Sequence, residues 1–250
     1  MAGAFLALGI IALSVGLPMV GFFVREKPGL RGNRETAAAG VSFQEGLRSR
    51  AFWILVAVLF LSSISQNGAL IHLSALLTDR GVSAGGAAMA VSAMGMASLL
   101  GRISTGWFLD RFFAPRVSFW LLSMTAFGVF LLSNANSLVV GSLASALIGF
   151  GMGGEADVTP YLLSRYFGLR SFSTLYGFTW TGYAIAAAIG PVLMGKAFDA
   201  SSSYQSFLLK LSVVTLASAG LMLFMPTYSM GTSQPVVPAQ CDPETTASSS

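Results

Sequence analysis

The sequence has 250 residues, of which 10% are charged and 54% are hydrophobic, and its formal net charge is +4. Ordinary soluble domains carry roughly 25% charged residues, so the composition excludes a water-soluble fold and favours an integral membrane protein. The basic residues lie between apolar runs rather than in one patch, which argues against nucleic acid as a partner. The single cysteine, Cys241, excludes a disulfide or a cysteine-based metal site within one chain.

Seven apolar runs predict transmembrane helices, because a bilayer core about 30 Å thick needs roughly 20 apolar residues per helical crossing. The first run has no basic residue before it and is too long for a signal peptide, so we interpret it as a true span. We therefore expect an all-α membrane protein with about seven transmembrane helices. The runs cover residues 3–24, 52–77, 84–108, 117–133, 138–162, 172–195 and 206–226.

Basic residues are concentrated in alternate connections. The connection after the first run carries six of them, those after the third and fifth runs carry two each, and the others hold one or none. The positive-inside rule then predicts a multi-pass protein of the plasma (inner) membrane with its N-terminus outside and its C-terminus in the cytoplasm. This orientation makes residues 26–50 a cytoplasmic loop, in which residues 42–50 are a candidate surface helix. Residues 227–250 are rich in Ser, Thr and Pro and are predicted to form a disordered cytoplasmic tail.

An internal repeat divides the spans. The third and sixth runs are the middle members of two triplets, and the loop charges place their ends on opposite sides of the membrane. Inverted three-helix repeats are a known construction of secondary transporters, although a chance match of two glycine-rich helix ends is the alternative. Both ends follow the pattern Gly-x4-Gly-x3-Asp, through Gly101, Gly106 and Asp110 in one and Gly190, Gly195 and Asp199 in the other.

Arg102, Glu155 and Asp157 carry charge inside the predicted spans, where charges are costly and mark functional sites by default. Arg102 lies six residues before the end of the third run. It is expected to face a cavity, to snorkel to the headgroups or to pair with Asp110, which is on the same helix face. Glu155 and Asp157 in the fifth run are candidate proton carriers, and we favour Glu155. Structural pairing, including with Arg102, is the alternative.

Further polar and aromatic residues are candidates for lining a pathway. His72, the only histidine, suits proton coupling by its pKa range, but a hydrogen-bonded packing role is the competing interpretation. Ser65, Gln66 and Asn67 lie near the middle of the second run and either line a cavity or bond across helices. Tyr176, Trp180 and Tyr183 form one stripe of the sixth run that lines the pathway or serves packing.

The end of the third run carries a recognisable motif. Gly106, Asp110 and Arg111 form Gly-x3-Asp-Arg, which resembles the cytoplasmic loop motif of the major facilitator superfamily in its C-terminal copy. Segments at 48–53 and 72–81, at 153–157 with 165–168, and at 190–191 with Asp199 resemble the branch that contains the monocarboxylate transporters and the oxalate:formate antiporters. The resemblance implies a gating role for the motif and a contact between Arg102 and a substrate carboxylate.

The same resemblance implies a domain organisation. Members of the superfamily have twelve spans in two halves, so residues 51–226 correspond to the six-helix C-terminal half. Residues 1–25 correspond to the last helix of an N-terminal half that is missing here, and residues 26–50 to the central loop. The chain departs from the branch in two places. The sixth run has no lysine between Ser171 and Gly195, and Ser98 stands where an acid is expected.

These observations predict a secondary active transporter of a small, monocarboxylate-like organic anion. It would work by alternating access, as a proton-coupled symporter or an anion exchanger. The expected partners are the lipid bilayer, the anion, protons and the missing N-terminal half. No cofactor, metal or enzyme motif is recognised. A seven-helix receptor or photoreceptor is the alternative, and it would need a mid-span retinal lysine or receptor disulfides.

Overall fold

The computed structural model describes residues 40–227, together with positions 14 and 18. The part from Gly40 onward belongs to one compact unit. Residues 40–227 contain seven α-helices and no β-strand. The helices are α1 (Phe43–Arg48), α2 (Arg50–Asp79), α3 (Ala84–Arg111), α4 (Ala114–Ser133), α5 (Leu138–Phe167), α6 (Phe172–Ser201) and α7 (Gln205–Met222).

Helices α2 to α7 are long and apolar enough to cross a membrane. Their outward surfaces carry large apolar side chains, and Val139, Ile103 and Trp120 are 76%, 73% and 68% exposed. Such a surface suits lipid rather than water, because contiguous apolar patches of this kind are rare on soluble proteins. The all-α membrane fold is thus confirmed. Nearly all of the first predicted span at 3–24 and of the predicted tail at 227–250 lies outside the described residues.

Local signals set several helix ends. Ser83 and Ser137 are the N-cap residues of α3 and α5, and their hydroxyl oxygens accept hydrogen bonds from the amides of Gly86 and Val140 at 3.2 and 3.4 Å. Pro115 lies in the first turn of α4, where a missing N–H costs no helical hydrogen bond. The predicted surface helix is present as α1, which begins with a capping box.

The two triplets cross each other at glycines. A Cβ atom at Gly101 of α3 would overlap the carbonyl of Phe150 in α5, and one at Gly190 of α6 would overlap the carbonyl of Ile64 in α2. The middle helix of each triplet therefore packs tightly on the first helix of the other. Helices α4 and α7 contact each other, and they pack against α5 and α2, respectively. This reciprocal packing confirms the inverted repeat predicted from Gly101 and Gly190.

Connections alternate between the two ends of the bundle. At one end, the Arg80 guanidinium donates hydrogen bonds to the carbonyls that close α4, those of Leu132, Ser133 and Ala135, at 2.7, 2.9 and 3.2 Å. At the other end, the amide of Val41 donates to the carbonyl of Phe167 at 2.9 Å. Two of the loops predicted to be basic and cytoplasmic, the one before α1 and the one between α5 and α6, therefore meet at one end, as an up-and-down arrangement requires.

The interior consists of two apolar clusters with a polar layer between them. One cluster gathers around Phe52 and Leu162, and the other around Leu76 and Leu132. Between them lie buried polar side chains from several helices, which are expensive in lipid and mark the middle of the bundle as the place for a site. These buried residues include Ser62, Ser63, Ser65, Gln66, Thr105, Glu155, Thr159 and Thr179.

Candidate functional site

A cavity of about 120 Å³ lies in the polar layer, where α2, α3, α5 and α6 meet. It brings together five of the residues predicted from sequence, namely Gln66, Arg102, Glu155, Trp180 and Tyr183. One cation and one acid thus face the same space, flanked by an amide and two aromatic rings. Its walls are completed by Leu59, Ser98, Met152, Ala156, Thr159 and Thr179.

Glu155 is the buried acid of this cavity, with 9% of its surface exposed. The Ser62 hydroxyl donates a hydrogen bond to its Oε1, and the Gln66 amide donates to its Oε2 at 2.6 Å. Both donors belong to α2 and both are neutral. Within residues 40–227 the Glu155 carboxyl makes no ion pair, so it can gain or lose a proton without breaking one.

Arg102 is exposed at the rim of the cavity. Its guanidinium makes no hydrogen bond or ion pair with any residue in the described part of the chain. The alternatives in which it pairs with Asp110 or Glu155 are therefore not realised in this structure. A guanidinium left open beside a cavity is available to an anion, and its planar donors match a carboxylate.

The aromatic stripe of α6 is continuous, but only part of it reaches the cavity. The Trp180 ring lies 4.8 Å from that of Tyr183 and 6.0 Å from that of Tyr176, measured between ring centroids. Tyr183 is held by α2, since the Asn67 amide donates to its hydroxyl at 3.3 Å and the Ser63 hydroxyl donates to its carbonyl at 3.0 Å. Tyr176 packs against Trp180 and does not line the cavity.

Four other predicted site residues also lie away from the cavity walls. Asn67 braces Tyr183 as described, and Ser65 is buried with a hydroxyl that has no hydrogen-bond partner among the described residues. Asp157 is half-buried on another face of α5. The His72 ring nitrogen Nε2 lies 3.1 Å from the carbonyl of Pro191, and its ring centroid is 5.6 Å from that of Tyr204. This geometry matches the packing interpretation of His72.

The motif at the end of α3 lies on the surface of the described bundle. The guanidinium carbon of Arg111 lies 4.1 Å from the centre of the Trp107 ring, and Asp110 is exposed. A Cβ atom at Gly106 would meet no described atom within 4 Å. The close helix approach on α3 is instead at Gly101, and Gly106 is open to whatever covers this face.

Several contributors to the site were missed from the sequence. Ser62 is the partner of Glu155, and it lies four residues before Gln66 on the same face of α2. Ser98 and Thr159 likewise lie one turn from Arg102 and Glu155. The spacing of four residues was the available signal, because residues i and i+4 share a helix face. No group of potential metal ligands occurs within the described ranges.

The helical repeat and the central polar cavity define the class of protein as a polytopic membrane protein with a transporter-type fold. A sequence model of the Major Facilitator Superfamily matches residues 1–191. The chain therefore belongs to the major facilitator superfamily. The family match gives no support to a seven-helix receptor.

Individual relatives agree with this assignment. The chain is 28% identical over 149 residues to an uncharacterized MFS-type transporter, YhjX, of Escherichia coli (strain K12), a match that covers 57% of this chain and 36% of the relative. Two crystal structures of the fucose:proton symporter FucP, one described as the Escherichia coli protein and the other in the outward conformation, superpose with a TM-score of 0.64. They are 17% and 16% identical, and each match covers 88% of this chain and 54% of FucP. The chain thus spans about a third to a half of the length of these proteins.

Proposed function

We propose that the chain is the C-terminal part of a secondary active transporter for a small organic anion, coupled to protons. The observation that supports this most directly is the cavity in which Arg102 and Glu155 face one space without pairing to each other. A free guanidinium recognises an anion, and an acid with only neutral partners carries a proton. Anion–proton symport needs both recognition of the anion and carriage of the proton.

The cavity favours a small monocarboxylate within the anion class. Arg102 is the one cation among its lining residues, and α6 has no lysine between Ser171 and Gly195 to pair with a second carboxylate. This reasoning favours an anion with one carboxylate group over a dicarboxylate such as oxalate.

Arg102 and Glu155 are proposed to act at different steps. Arg102, at the rim, forms a bidentate contact with the substrate carboxylate, while Trp180 and Tyr183 flank its apolar part. Glu155, buried behind it, binds a proton that is released on the other side of the membrane. Anion exchange without net proton movement is the variant of this scheme in which Glu155 keeps its proton.

A second half is proposed to complete the pathway. Apolar windows of α3 and α6 are only 28% and 22% buried, against 39% to 56% for the other spans, so these two helices present unpartnered faces. Arg102 and Trp180 lie on them. We propose that an N-terminal six-helix half, of which residues 1–25 are the last helix and 26–50 the connection, covers these faces. The motif of Gly106, Asp110 and Arg111 would then act as a gate at the cytoplasmic edge.

Uptake by proteoliposomes tests the substrate class. The full-length protein, with this chain as its C-terminal part, would be assayed with labelled lactate, formate and oxalate. Labelled fucose, the substrate named for the symporter that shares the fold, serves as the neutral comparison. We expect uptake of lactate or formate that is accelerated by an inwardly directed proton gradient. Uptake of fucose alone would reject an anion transporter.

Substitution of Arg102 tests the proposed contact. Arg102→Ala removes a charge-assisted contact worth about 1.5–3 kcal/mol, so the apparent affinity for the anion should fall by roughly ten- to a hundredfold. Arg48→Ala is the matched control, because it removes an exposed arginine of α1 outside the cavity. Unchanged uptake by the Arg102 variant would remove this residue from the substrate site.

A further inference from the structure

A second, larger cavity lies outside the central site, as a groove between α3 and α4. It has a volume of about 310 Å³, and every lining side chain but one is apolar. The exception is Arg116, in the first turn of α4. We call this cavity the α3–α4 groove, and its lining residues are Phe108, Phe112, Arg116, Val117, Trp120, Leu121, Met124 and Phe150.

The groove opens toward the lipid. Trp120 is 68% exposed, Phe112 52% and Met124 37%. The exposed stripe of α4 continues beyond the groove through Phe127 and Phe130, at the spacing of three to four residues that keeps one helix face outward. The groove is thus the end of a lipid-facing surface, not an isolated hole in the protein.

The groove is separate from the face of α3 proposed to meet a second half. Phe108 lies seven residues after Gly101, so both occupy the side of α3 that packs toward Phe150 of α5. Arg102 is rotated about 100° from Gly101 around the helix. A protein half that covers Arg102 and Gly106 therefore leaves the groove uncovered.

One end of the groove carries positive charge. Arg116 is exposed, and its guanidinium makes no hydrogen bond or ion pair with residues 40–227. Arg111 lies five residues earlier, at the end of α3, and its guanidinium carbon is 4.1 Å from the centre of the Trp107 ring. Asp110 lies near this end as well, but no acid lines the groove. From Arg116 to Met124 the groove follows α4 for eight residues, or about 12 Å, away from this charged end.

We propose that the α3–α4 groove binds an anionic phospholipid of the bilayer. Its phosphate would contact the Arg116 guanidinium, and one acyl chain would lie along Phe112, Trp120 and Met124. A cation at the membrane interface with an apolar groove running into the hydrocarbon complements a lipid with a negative headgroup. Basic pockets between helices on the cytoplasmic side commonly bind such lipids. The inference does not depend on the transported substrate.

Fluorescence quenching of Trp120 tests the proposal directly. The chain has four tryptophans, so Trp53→Phe, Trp107→Phe and Trp180→Phe leave Trp120 as the one reporter. The full-length protein, with any tryptophan outside this chain likewise replaced by Phe, would be placed in vesicles of phosphatidylcholine that contain a small fraction of brominated phosphatidylglycerol or, in parallel, of brominated phosphatidylcholine. Bromine quenches tryptophan fluorescence only at short range, so quenching reports the acyl chains that lie beside the Trp120 ring. One basic residue near the surface is worth about 1 kcal/mol toward an anionic lipid, so phosphatidylglycerol should occupy the groove about fivefold in preference.

Two variants separate a site from general attraction to negative lipid. Arg116→Gln should equalise quenching by the two brominated lipids. Arg48→Gln, which removes an exposed arginine of α1 away from the groove, should leave the preference intact. Equal quenching in the unsubstituted reporter protein would show ordinary boundary lipid and reject the site. Equal effects of the two substitutions would reject a specific role for Arg116, and absence of quenching by either lipid would show that protein covers the groove.

Discussion

The two hydrogen-bond partners of the Glu155 carboxyl on α2 suit reversible protonation. Its two oxygens accept hydrogen bonds from Ser62 and Gln66, while the amide oxygen of Gln66 has no partner among the described residues. An amide flip would therefore present Gln66 as an acceptor instead of a donor. The same pocket accommodates either a carboxylate or a group that donates a hydrogen bond, which is what a proton carrier requires.

Glu155→Gln should uncouple transport from protons without unfolding the bundle. The glutamine is isosteric, and a flipped Gln66 can accept from its new NH₂ group. We expect uptake driven by a pH gradient to disappear, while exchange of labelled for unlabelled anion continues. Asp157→Asn, two residues along α5 and off the cavity wall, is the comparison. Equal loss of gradient-driven uptake in both variants would contradict a specific role for Glu155.

Glu45 makes the start of α1 sensitive to pH. Its carboxylate accepts from the backbone amide of Ser42 at 2.8 Å and from the Ser42 hydroxyl at 2.9 Å. The backbone hydrogen bond, then the side-chain bond and the more distant charge of Arg170 hold the pKa of Glu45 below its usual value. Because the folded pKa is lowered, the capping box stabilises α1 above the unfolded pKa and loses this contribution as the pH falls through the folded pKa.

Hydrogen exchange at Ser42 reports this effect. Between about pH 6 and pH 3, protection of the Ser42 amide, corrected for the intrinsic exchange rate, should fall several-fold. Glu45→Gln should show weak protection at both pH values, since the neutral amide accepts less strongly and does not titrate in this range. Protection that falls equally in the variant would assign the change to another group.

At the scale of helices, the crossing of α3 and α5 depends on glycines, which have no side chain to separate the two backbones. Cβ atoms at Gly149 and Gly153 of α5 would overlap the backbone carbonyls of Met94 and Ser98 in α3. Together with Gly101, these positions bring two helix backbones into direct contact. Close backbone approach at small residues is a main source of helix association in lipid, where the hydrophobic effect is absent.

Gly149→Ala should destabilise the bundle by about 1–3 kcal/mol, because the backbone of α3 must move to admit the methyl group. Gly95→Ala on α3 is the matched control, since its Cβ would meet nothing within 4 Å. There the gain in helix propensity, up to about 1 kcal/mol, should leave stability equal or higher. Thermal unfolding in detergent measures both. Similar midpoints for the two variants would show that the crossing tolerates separation.

At the scale of the whole molecule, orientation follows from where the basic loops meet. Val41 and Ser171 bring the loop before α1 to the connection between α5 and α6, with the Ser171 hydroxyl donating to the Val41 carbonyl at 3.0 Å. Both segments are basic in sequence. From the positive-inside rule we predict that this end lies in the cytoplasm and that the end that holds Arg80 and Gln205 lies outside.

Cysteine labelling tests this orientation with two matched serines. Ser173 and Ser206 are both exposed in the first turn of a span, α6 and α7, at opposite ends of the bundle. In a Cys241→Ser background, an impermeant maleimide added to intact cells should label Ser206→Cys. Ser173→Cys should react only after permeabilisation. The reverse pattern would invert the proposed topology.

The sequence by itself determined the class of fold. The six spans within 40–227, the alternation of their connections and the repeat at Gly101 and Gly190 are all present in the structure. These features are local quantities: apolar length, loop charge and glycine spacing do not depend on what packs where. The same local reasoning singled out Arg102 and Glu155, because a charge within an apolar run is costly wherever it points.

Only the tertiary structure decided which polar residues share a cavity. It joined Gln66, Arg102, Glu155, Trp180 and Tyr183 and left out the other predicted site residues of the spans. It also supplied Ser62 as a partner and left Gly106 open. The physical reason is that a helix with apolar residues on every face has no periodic signal to show which side is inward. The inward face is chosen by the neighbouring helices, whose crossings at glycine bring particular side chains together. The residues left outside the cavity were Ser65, Asn67, Tyr176, Asp157 and His72.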